Sequence, residues 1–357
     1  MLRIDRYLLR EMLVPLLVGL GTFVVMITGH MLFTVVDKIV EHGVGMQSVL
    51  KFMLLQVPYA TLLSLPAASL LASSLALNRL ASENELTALR AGGAGFVRIL
   101  RPLLVLGGAA SLLALLLANS VVPWANHHAE TMLAQMITKQ PTLAFRPGKF
   151  TNTQTGLDFF AERVDQATNR LGNLFVFDRD AGGDTPLLFV APQAHFSAES
   201  LITGPAIFYN LSSGGQLDWG SMESVAVNLG NLQFLPGMAA KSAPDMSLTE
   251  LARQWRTEEA KGPGMGRRFA VEAHERVALA LACLVFALLA LPVTLSFSRG
   301  QSLVGVLATL VVVFVYYVIM LWLRMLAESG ALPVALAAWA ENGVLVVAAG
   351  VLLWRRH

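Results

Sequence analysis

Charged residues are scarce in this chain. Only 14% of its 357 residues are Asp, Glu, Lys or Arg, whereas soluble globular domains carry about 25%. Hydrophobic residues make up 55% of the chain, and the mean hydropathy is +0.59. The formal net charge is only +2, so the chain has no basic excess that would favour nucleic acid as a partner. The composition therefore argues against an ordinary soluble domain and indicates a protein that lies in lipid.

Residues for cofactor or metal chemistry are also scarce. The single cysteine, Cys283, excludes an intramolecular disulfide, and its apolar surroundings predict a buried, inert thiol. The segment Pro147–Thr151 lacks the upstream glycine and the Lys-Ser/Thr pair of a phosphate-binding loop. His127 and His128 are adjacent, and neighbouring residues on a helix point about 100° apart, which does not favour a shared metal. We therefore expect no cofactor or metal bound by this chain.

Six long apolar runs stand out against these absences. Five contain no charged residue, and the sixth contains only Glu341. The runs are Met12–Val36, Phe52–Leu77, Pro102–Val122, Val277–Phe297, Ser302–Leu323 and Pro333–Leu353. A helix of about 20 apolar residues spans the hydrocarbon core of a bilayer. The sequence therefore predicts a membrane α-helical bundle of six transmembrane helices.

Basic residues are distributed unequally between the two ends of these runs. The side that carries both termini has Arg3, Arg6, Arg10, Arg79, Arg90, Arg98, Arg101, Arg299, Arg355 and Arg356. The short connections on the other side have only Lys38 and Lys51, with Arg324 at the end of a span. Because loops rich in Lys and Arg stay in the cytoplasm, both termini are predicted to be cytoplasmic and the long middle segment to be exported.

The middle segment differs sharply in composition from the apolar runs, being rich in Gly, Asn, Asp, Thr and Ser, as turns require. Short β-like pieces recur between turn signals, and they are Leu157–Val164, Leu174–Phe177, Leu187–Val190, Ala206–Leu211 and Val225–Leu229. This pattern predicts an all-β sandwich or partly open barrel. After these pieces, Ser247 and Glu250 have the spacing of a capping box at the start of a helix.

These patterns divide the chain into three parts. Residues 1–125 hold three spans and a loop helix at about 82–92. Residues 126–268 form the inserted β domain with a helical segment at about 246–261. Residues 269–357 hold the last three spans.

The loop helix after the second span has recognisable end signals. Ser82 and Glu85 have capping-box spacing, Leu86 and Leu89 form a short apolar stripe, and Gly93 with the glycine before it stops the helix. Spacing alone leaves two interpretations. The segment is either a capped connector in which Glu85 serves only its own helix, or a helix onto which a cytoplasmic partner docks.

Several short motifs follow one another in order along the chain. They are Asp5-Arg6-Tyr7 with Glu11, Ser82-Glu83-Asn84-Glu85-Leu86 through Ala91-Gly92-Gly93, Glu272-x-His274-x-Arg276, Leu291-Pro292, Gly330-x-Leu332-Pro333 and Trp339-x-x-Asn342. Arranged around one exported domain, they make the chain resemble, from end to end, the lipopolysaccharide-export permease family, the paired LptF/LptG subunits of an ATP-binding-cassette (ABC) transporter.

The resemblance implies a fold, a function and a set of partners. It implies a 3+3 arrangement of spans in the inner membrane around a periplasmic β-jellyroll. The chain would extract lipopolysaccharide from the outer leaflet of the inner membrane and pass it to periplasmic jellyroll bridge proteins for export to the outer membrane. A second permease, homologous or identical, and a cytoplasmic ABC ATPase dimer that uses ATP and Mg would complete the transporter. Lipopolysaccharide and membrane lipid, but no nucleic acid, would contact this chain, which would not itself be an enzyme.

The resemblance also assigns roles to individual residues. The loop helix would be the coupling helix, which is seated in a groove of the ATPase. Glu85 matches the coupling glutamate of the family and Gly93 its closing glycine. The residues expected to couple are Glu83, Glu85, Leu86, Leu89, Arg90 and Gly93.

Substrate contacts are expected where basic groups meet lipid phosphates at the outward ends of the spans. Arg324 aligns with a basic position of the family, with snorkelling to the interface as the alternative. Lys38 follows the first span, but Thr34 stands near a position that is basic in some members. His30 is either a contact or a packed residue of the first span. Glu341 lies about eight residues inside the sixth span, where a carboxylate is a functional candidate by default.

Two alternatives come from other functional classes. The first is a non-transporting membrane receptor or scaffold whose exported β domain binds a ligand. The second is an intramembrane enzyme that acts on lipids, which would need a convergent set of polar side chains within the spans. The spans offer only His30, Glu341 and scattered hydroxyl groups for such a set.

Overall fold

In the computed structural model, the chain divides into a bundle unit of helices and a sheet unit. The structure describes residues 3–42, 46–93, 95–139, 142, 145, 147–152, 157–165, 168–178, 187–197, 200–211, 217–228, 241–297 and 302–354. The bundle unit comprises Met1–Val36, Met53–Asn126 and Ala243–His357, and the sheet unit comprises Asp37–Phe52 and His127–Ser242.

Nine α-helices occur within these described residues. They are α1 (Arg3–His42), α2 (Met46–Ser82), α3 (Glu85–Ala91), α4 (Phe96–Leu116), α5 (Val122–Lys139), α6 (Leu248–Glu259), α7 (Arg267–Phe297), α8 (Ser302–Ser329) and α9 (Val334–Trp354). A π-helical turn at Leu117–Val121 joins α4 to α5, and a 3-10 turn at Ala243–Asp245 precedes α6.

Six helical segments of the described chain are long and apolar enough to cross a membrane. They are Asp5–Leu32, Met46–Ser82, Arg98–Met132, Arg267–Thr294, Gly305–Ser329 and Val334–Leu352. The predicted six apolar helices are confirmed, although the helices extend beyond the apolar runs. For example, α2 continues past Leu77 to Ser82 because nothing in that stretch breaks a helix. The arrangement of the spans across a bilayer stays a prediction.

Small residues bring the helices of the bundle close together. Gly107 of α4 lies against α7, where a Cβ built on it would stand 2.6 Å from Ala287 Cβ and 3.0 Å from Leu284 Cα. Cys283, also on α7, is buried as predicted, and its carbonyl oxygen accepts a 3.1 Å hydrogen bond from Ser69 Oγ of α2. Close approach of this kind supplies the van der Waals contact that holds helices together in lipid.

Two helices of the bundle are covered less by the rest of the chain. On α1, Leu17 and Val25 are exposed, and on α8 Phe314 and Trp322 are exposed. Apolar side chains in such positions are suited to contact with lipid tails or with another membrane subunit.

The sheet unit contains an antiparallel sheet, with eight strands in the part that is described. The strands are β1 (Phe150–Asn152), β2 (Leu157–Asp165), β3 (Arg170–Asp178), β4 (Leu187–Ser197), β5 (Ser200–Thr203), β6 (Ala206–Leu211), β7 (Leu217–Met222) and β8 (Ala226–Asn228). Their order is β1-β2-β3-β4-β5-β8, and β6 pairs with both β4 and β7. The prediction of a β region is therefore confirmed, whereas the jellyroll fold stays a prediction.

The sheet branches at β4. The first half of this strand pairs with β6, with Val190 opposite Ile207, and the second half pairs with β5, with Ala194 opposite Thr203. On one face of the sheet, an apolar core is formed by residues that include Phe145, Phe159, Leu171, Leu174, Val176 and Leu201. The branch lets one long strand support two separate arms, β5–β8 and β6–β7.

All five predicted β-like pieces overlap strands, and Ala206–Leu211 matches β6 in its bounds. Leu229, the last residue of the fifth piece, lies outside the described residues. The patterns missed β1, β5 and β7. Of these, β7 has the sequence LDWGSM, whose Gly and Asp disfavour a strand, and none of its residues is buried. The capping box of Ser247 and Glu250 is confirmed, because both of its reciprocal hydrogen bonds are present at the start of α6.

We expect Gly107→Ala to destabilise the bundle by about 1–3 kcal/mol, the usual cost of inserting a methyl group into a packed core. Such a methyl would lie too close to Ala287 Cβ and to the Cα of Leu284. Neither atom belongs to a flexible side chain that could move away. The measurement is thermal unfolding of the purified protein in detergent. Gly108→Ala is the matched control, since its Cβ would meet only Leu284 Cδ1 at 3.8 Å. Equal losses in the two variants would contradict the close contact of α4 with α7.

Candidate functional site

The loop helix α3 begins at Glu85, three residues later than predicted. Ser82 is the last residue of α2, and its Oγ donates to the carbonyl of Arg79 at 2.8 Å. Asn84 has a φ of 59° and its carbonyl accepts from the Ala88 N–H at 3.0 Å, so it occupies the N-cap position. The predicted Ser82–Glu85 capping box is wrong, because α2 runs through Ser82 and the chain turns at Asn84, a residue type that tolerates this conformation.

Glu85 contacts the first helix instead of its own N-cap. The Tyr7 hydroxyl of α1 donates to Glu85 Oε2 at 3.1 Å and lies 3.4 Å from Oε1. A hydrogen bond to an ionised carboxylate is stronger than one between neutral groups. This contact therefore orients the Glu85 carboxylate towards the N-terminal part of α1.

A second set of polar contacts, made by Arg79, lies in the same region of the chain. Arg79, near the end of α2, forms ion pairs with Glu11 of α1 and, at 3.1 Å, with Glu83 in the turn before α3. Both Arg79 and Glu83 are largely exposed, so water and salt weaken these pairs and their effect on stability is small. Their consequence is geometric, because they connect the start of α1 with the turn between α2 and α3.

The remaining predicted coupling residues occupy different environments. Leu86 is buried in an apolar cluster that includes Leu8 and Leu80, whereas Leu89 is only partly buried. Gly93 has a φ of +83°, a conformation that favours glycine, and it ends the loop as predicted. The side chain of Arg90 lies outside the described residues. Thus α3 is anchored in the bundle through Leu86.

A second polar cluster lies between α7 and α8, around Arg324. Its Nη1 donates to Glu275 Oε2 at 2.7 Å, and its Nη2 donates to Glu272 Oε2 at 3.2 Å. Its Nε donates to Glu328 Oε1 at 2.9 Å, one turn further along α8. All three nitrogen atoms of this guanidinium group therefore hold a carboxylate.

Arg276 of α7 is the buried neighbour of this cluster, with only 6% of its surface exposed. Its Nε donates to Glu272 Oε1 at 2.9 Å. Its four other N–H groups donate to backbone carbonyls, which are those of Ala118 (3.3 Å), Met246 (2.6 Å), Ala243 (3.0 Å) and Pro244 (2.9 Å). The side chain thus uses all five of its donors and connects α7 to the π-helical turn and to residues 243–246.

The two guanidinium groups and two of the carboxylates line a cavity of about 70 Å³. Tyr59 and Asn126 contribute to its wall, and Leu62, Leu63, Leu279 and Met320 make part of the wall apolar. A space of this size holds a few water molecules. Counting Glu328, three carboxylates face two guanidinium groups, so the cluster carries one excess negative charge when all of them are ionised.

The other predicted substrate contacts and Glu341 lie outside this cluster or outside the described residues. His30 is exposed on α1, and the side chains of Thr34 and Lys38 lie outside the described residues. Glu341 is buried within α9, and among the described residues its Oε2 has no hydrogen-bond partner. Asn342, the next residue, donates to the carbonyl of Ala278 at 2.8 Å.

The sequence patterns predicted no role for Glu275. Tyr7, Glu272 and Arg276 were recognised only as parts of the motifs that indicate the family. A signal for part of this set was present, because Glu272, Glu275 and Arg276 have i, i+3 and i, i+4 spacing at the start of an apolar run. Charges at that spacing share one helix face. Nothing in the spacing indicated that the same face would meet Arg324 of the next helix.

The adjacent histidines are not part of a metal-binding group among the described residues. The rings of His127 and His128 lie edge to face with centroids 6.1 Å apart. Within the described chain, no group of three or more His, Cys, Asp or Glu side chains is arranged to hold a metal ion.

Comparison with known proteins gives one family and several relatives. The family described as lipopolysaccharide export system permease LptF/LptG matches residues 6–355. The lipopolysaccharide export system permease protein LptF of Escherichia coli (strain K12) is 22% identical over 358 residues, which cover 98% of this chain and 94% of that protein. The LptF protein of Shigella flexneri matches to the same extent, with 22% identity over 98% of this chain and 94% of its own. The family match confirms the resemblance drawn from the motifs.

Replacing Arg276 with Met should destabilise the protein by about 3–5 kcal/mol, because it leaves Glu272 Oε1 and four backbone carbonyls, two of them buried, without this donor. Thermal unfolding in detergent measures the loss. The control is Lys261→Met, which removes an exposed ion pair with Glu258 and should cost about 0–1 kcal/mol. A loss for Arg276→Met no larger than that for Lys261→Met would contradict the role of the buried guanidinium.

Proposed function

The chain belongs to the lipopolysaccharide export system permease LptF/LptG family, and on that premise we propose that it is a membrane subunit of a transporter for lipopolysaccharide. The transporter would take lipopolysaccharide from the outer leaflet of the inner membrane. It would then pass the lipid to a periplasmic bridge for export to the outer membrane. ATP and Mg would be used by a separate ATPase, and this chain would have no enzymatic activity of its own.

The observation that carries this proposal is the extent of the family match. It spans residues 6–355, and so includes the helices of the bundle as well as the strands of the inserted sheet. A local match to apolar helices alone would say little, because many membrane proteins share such helices. Coverage of both parts supports a function that needs both of them.

Coupling to ATP hydrolysis is proposed to occur through α3. A cytoplasmic ABC ATPase dimer would bind this helix and contact Glu85, with Glu83, Leu89, Arg90 and Gly93 nearby. Leu86 would transmit the motion of α3 into the bundle, since it is buried among bundle residues. The Tyr7–Glu85 hydrogen bond and the Arg79–Glu11 pair would extend the same motion to α1.

Lipid is proposed to move between two permeases, either this chain and a homologue or two copies of it. The exposed apolar surfaces of α1 and α8 would contact acyl chains or the second permease. The residues proposed to contact phosphates at the outward rim are Arg324, Lys38, Thr34 and His30. Glu341, buried in a span, stays a candidate without an assigned step.

The sheet unit is proposed to be a periplasmic jellyroll that receives the lipid. Its second face is apolar as well, with the rings of Phe150, Phe160 and Phe175 in series at centroid distances of 5.1 and 5.7 Å, and with Phe150 itself exposed. An apolar face that is only partly covered could carry acyl chains. With the sheet unit in the periplasm, both termini would lie in the cytoplasm. Periplasmic jellyroll bridge proteins would take the lipid onward.

We expect Glu85→Arg to lower lipid transfer by at least about tenfold. Reversing the charge that α3 presents to the ATPase would place like charges opposite each other in that interface, which costs several kcal/mol. The measurement is lipid transfer and ATP hydrolysis side by side in vesicles reconstituted with the complete transporter. The ATPase rate should persist while transfer falls, which is the signature of uncoupling.

Two further variants interpret that result. Tyr7→Phe removes the hydroxyl that holds Glu85 and keeps the ring, so it should lower transfer by less than Glu85→Arg. Glu258→Arg places the same charge reversal on α6 and should leave the ratio of transfer to hydrolysis unchanged. Unchanged transfer in Glu85→Arg would rule out the coupling role of this residue.

Co-purification separates a transporter subunit from a receptor or scaffold. A gently solubilised, tagged chain should bring down a soluble ATPase and a second permease in fixed stoichiometry, identified by mass spectrometry. Recovery of the chain without any ATPase, under conditions that preserve a known transporter of the same class, would favour the receptor.

A further inference from the structure

The guanidinium group of Arg324 has no nitrogen atom without a carboxylate. Glu275, Glu272 and Glu328 occupy Nη1, Nη2 and Nε respectively, at 2.7, 3.2 and 2.9 Å. A phosphate group binds arginine best through two N–H groups at once. One N–H group on each Nη remains, but it lies on a nitrogen atom that already holds a carboxylate. A phosphate that binds there meets the negative charge of that carboxylate at close range, so phosphate and carboxylate compete for Arg324.

The three carboxylates differ in how firmly they are held. Glu272 uses its other oxygen to accept from the buried Arg276, so this second pair fixes it in place. Glu328 is 46% exposed and lies one turn away on the same helix, so it moves with Arg324 and is screened by water. Glu275 is only 11% exposed and lies on α7, across from Arg324. Within the described residues, Arg324 is the only cation with which Glu275 forms an ion pair.

We propose that Glu275 is a built-in counter-ion that the phosphate of a bound amphiphile displaces from Arg324. This inference rests on the proposed function and adds the residue that sets selectivity for phosphorylated lipid. Binding is then an exchange, in which the lipid phosphate takes the Nη1 position and the Glu275 carboxylate is released. An amphiphile without phosphate has nothing to exchange and gains nothing from Arg324.

The surroundings of the pair suit such an exchange. Arg324 is 37% exposed, and the exposed apolar residue Leu321 lies three residues before it, on the same side of α8. An amphiphile lying along this surface would bring its headgroup to the exposed side of the guanidinium. Glu275 also borders the cavity of about 70 Å³, which offers its released carboxylate room for hydration.

The exchange also accounts for release of the lipid. A phosphate held by an otherwise unoccupied, partly buried arginine would bind strongly and leave slowly, because charge-assisted hydrogen bonds are stronger away from bulk water. Glu275 competes for the same nitrogen atom and weakens that binding. When the space between the two permeases closes, re-formation of the Arg324–Glu275 pair would favour departure of the headgroup.

The test uses the full chain, purified with the subunits that accompany it and placed in phosphatidylcholine nanodiscs. The Kd for diphosphoryl lipid A and for the same lipid stripped of its phosphates is measured for wild type, Glu275→Gln, Glu328→Gln and Arg324→Gln. Glu275→Gln should tighten binding of diphosphoryl lipid A by about tenfold, the factor expected for removing a competing hydrogen bond to a charged group. Binding of the stripped lipid should not change, which also shows that the variant is folded.

The matched variant is Glu328→Gln, which removes one carboxylate from the same guanidinium but an exposed one. It should tighten binding by less than about twofold, because exposed pairs contribute little. In an Arg324→Gln background, Glu275→Gln should have no effect. Should Glu275→Gln lose affinity for both lipids, Glu275→Asp is used in its place, because it keeps the charge but shortens the reach to Nη1 and should tighten binding in the same direction.

The possible outcomes separate this inference from the proposed function. If wild type prefers diphosphoryl lipid A through Arg324 but neither Glu275→Gln nor Glu275→Asp changes the Kd, the counter-ion role is wrong and the transport function stands. Equal gains in Glu275→Gln and Glu328→Gln would reduce the effect to net charge and would also overturn the inference. If wild type binds neither lipid, the proposed function fails and the inference fails with it.

Discussion

The structure depends on one constraint, which is that polar groups within a bundle of apolar helices must find their partners inside the protein. In hydrocarbon there is no water to satisfy an N–H or a carboxylate, and each unsatisfied group costs several kcal/mol. Arg276 illustrates the solution, because its five donors meet one carboxylate and four backbone carbonyls. The π-helical turn at Leu117–Val121 belongs to the same solution, since one of those carbonyls is that of Ala118.

Two groups of charged side chains stand out among the polar contacts of the described bundle. One is the group of Tyr7, Glu85, Glu11 and Arg79, where exposed pairs connect helix ends without adding much stability. The other is the cluster around Arg276 and Arg324, where burial makes the pairs with Glu272 and Glu275 consequential. Under the proposed function, the first group receives motion from an ATPase and the second receives the charge of a lipid. In both, a polar side chain of one helix is oriented by a residue of another.

Predictions from the sequence were confirmed for features that depend only on residues close together in the chain. The six apolar helices, the burial of Cys283 and the Ser247–Glu250 capping box all follow from residues that are neighbours in the chain. The Ser82–Glu85 capping box had the same local signature and was wrong. There α2 extends through Ser82, and Glu85 accepts a hydrogen bond from Tyr7, which lies 78 residues away. A capping pattern is a local preference, and contacts between helices override it.

Six apolar helices and an inserted β region could be predicted without the structure, because hydropathy and turn composition are properties of short segments. The ordered motifs of the sequence also sufficed to indicate the family. Three features could not be predicted in this way: Arg324 is surrounded by Glu272, Glu275 and Glu328, Glu85 accepts a hydrogen bond from Tyr7, and β4 carries two arms of the sheet. The reason is physical: the energy of an ion pair or a strand pairing depends on the distance between residues that are far apart in the chain, and only packing sets that distance.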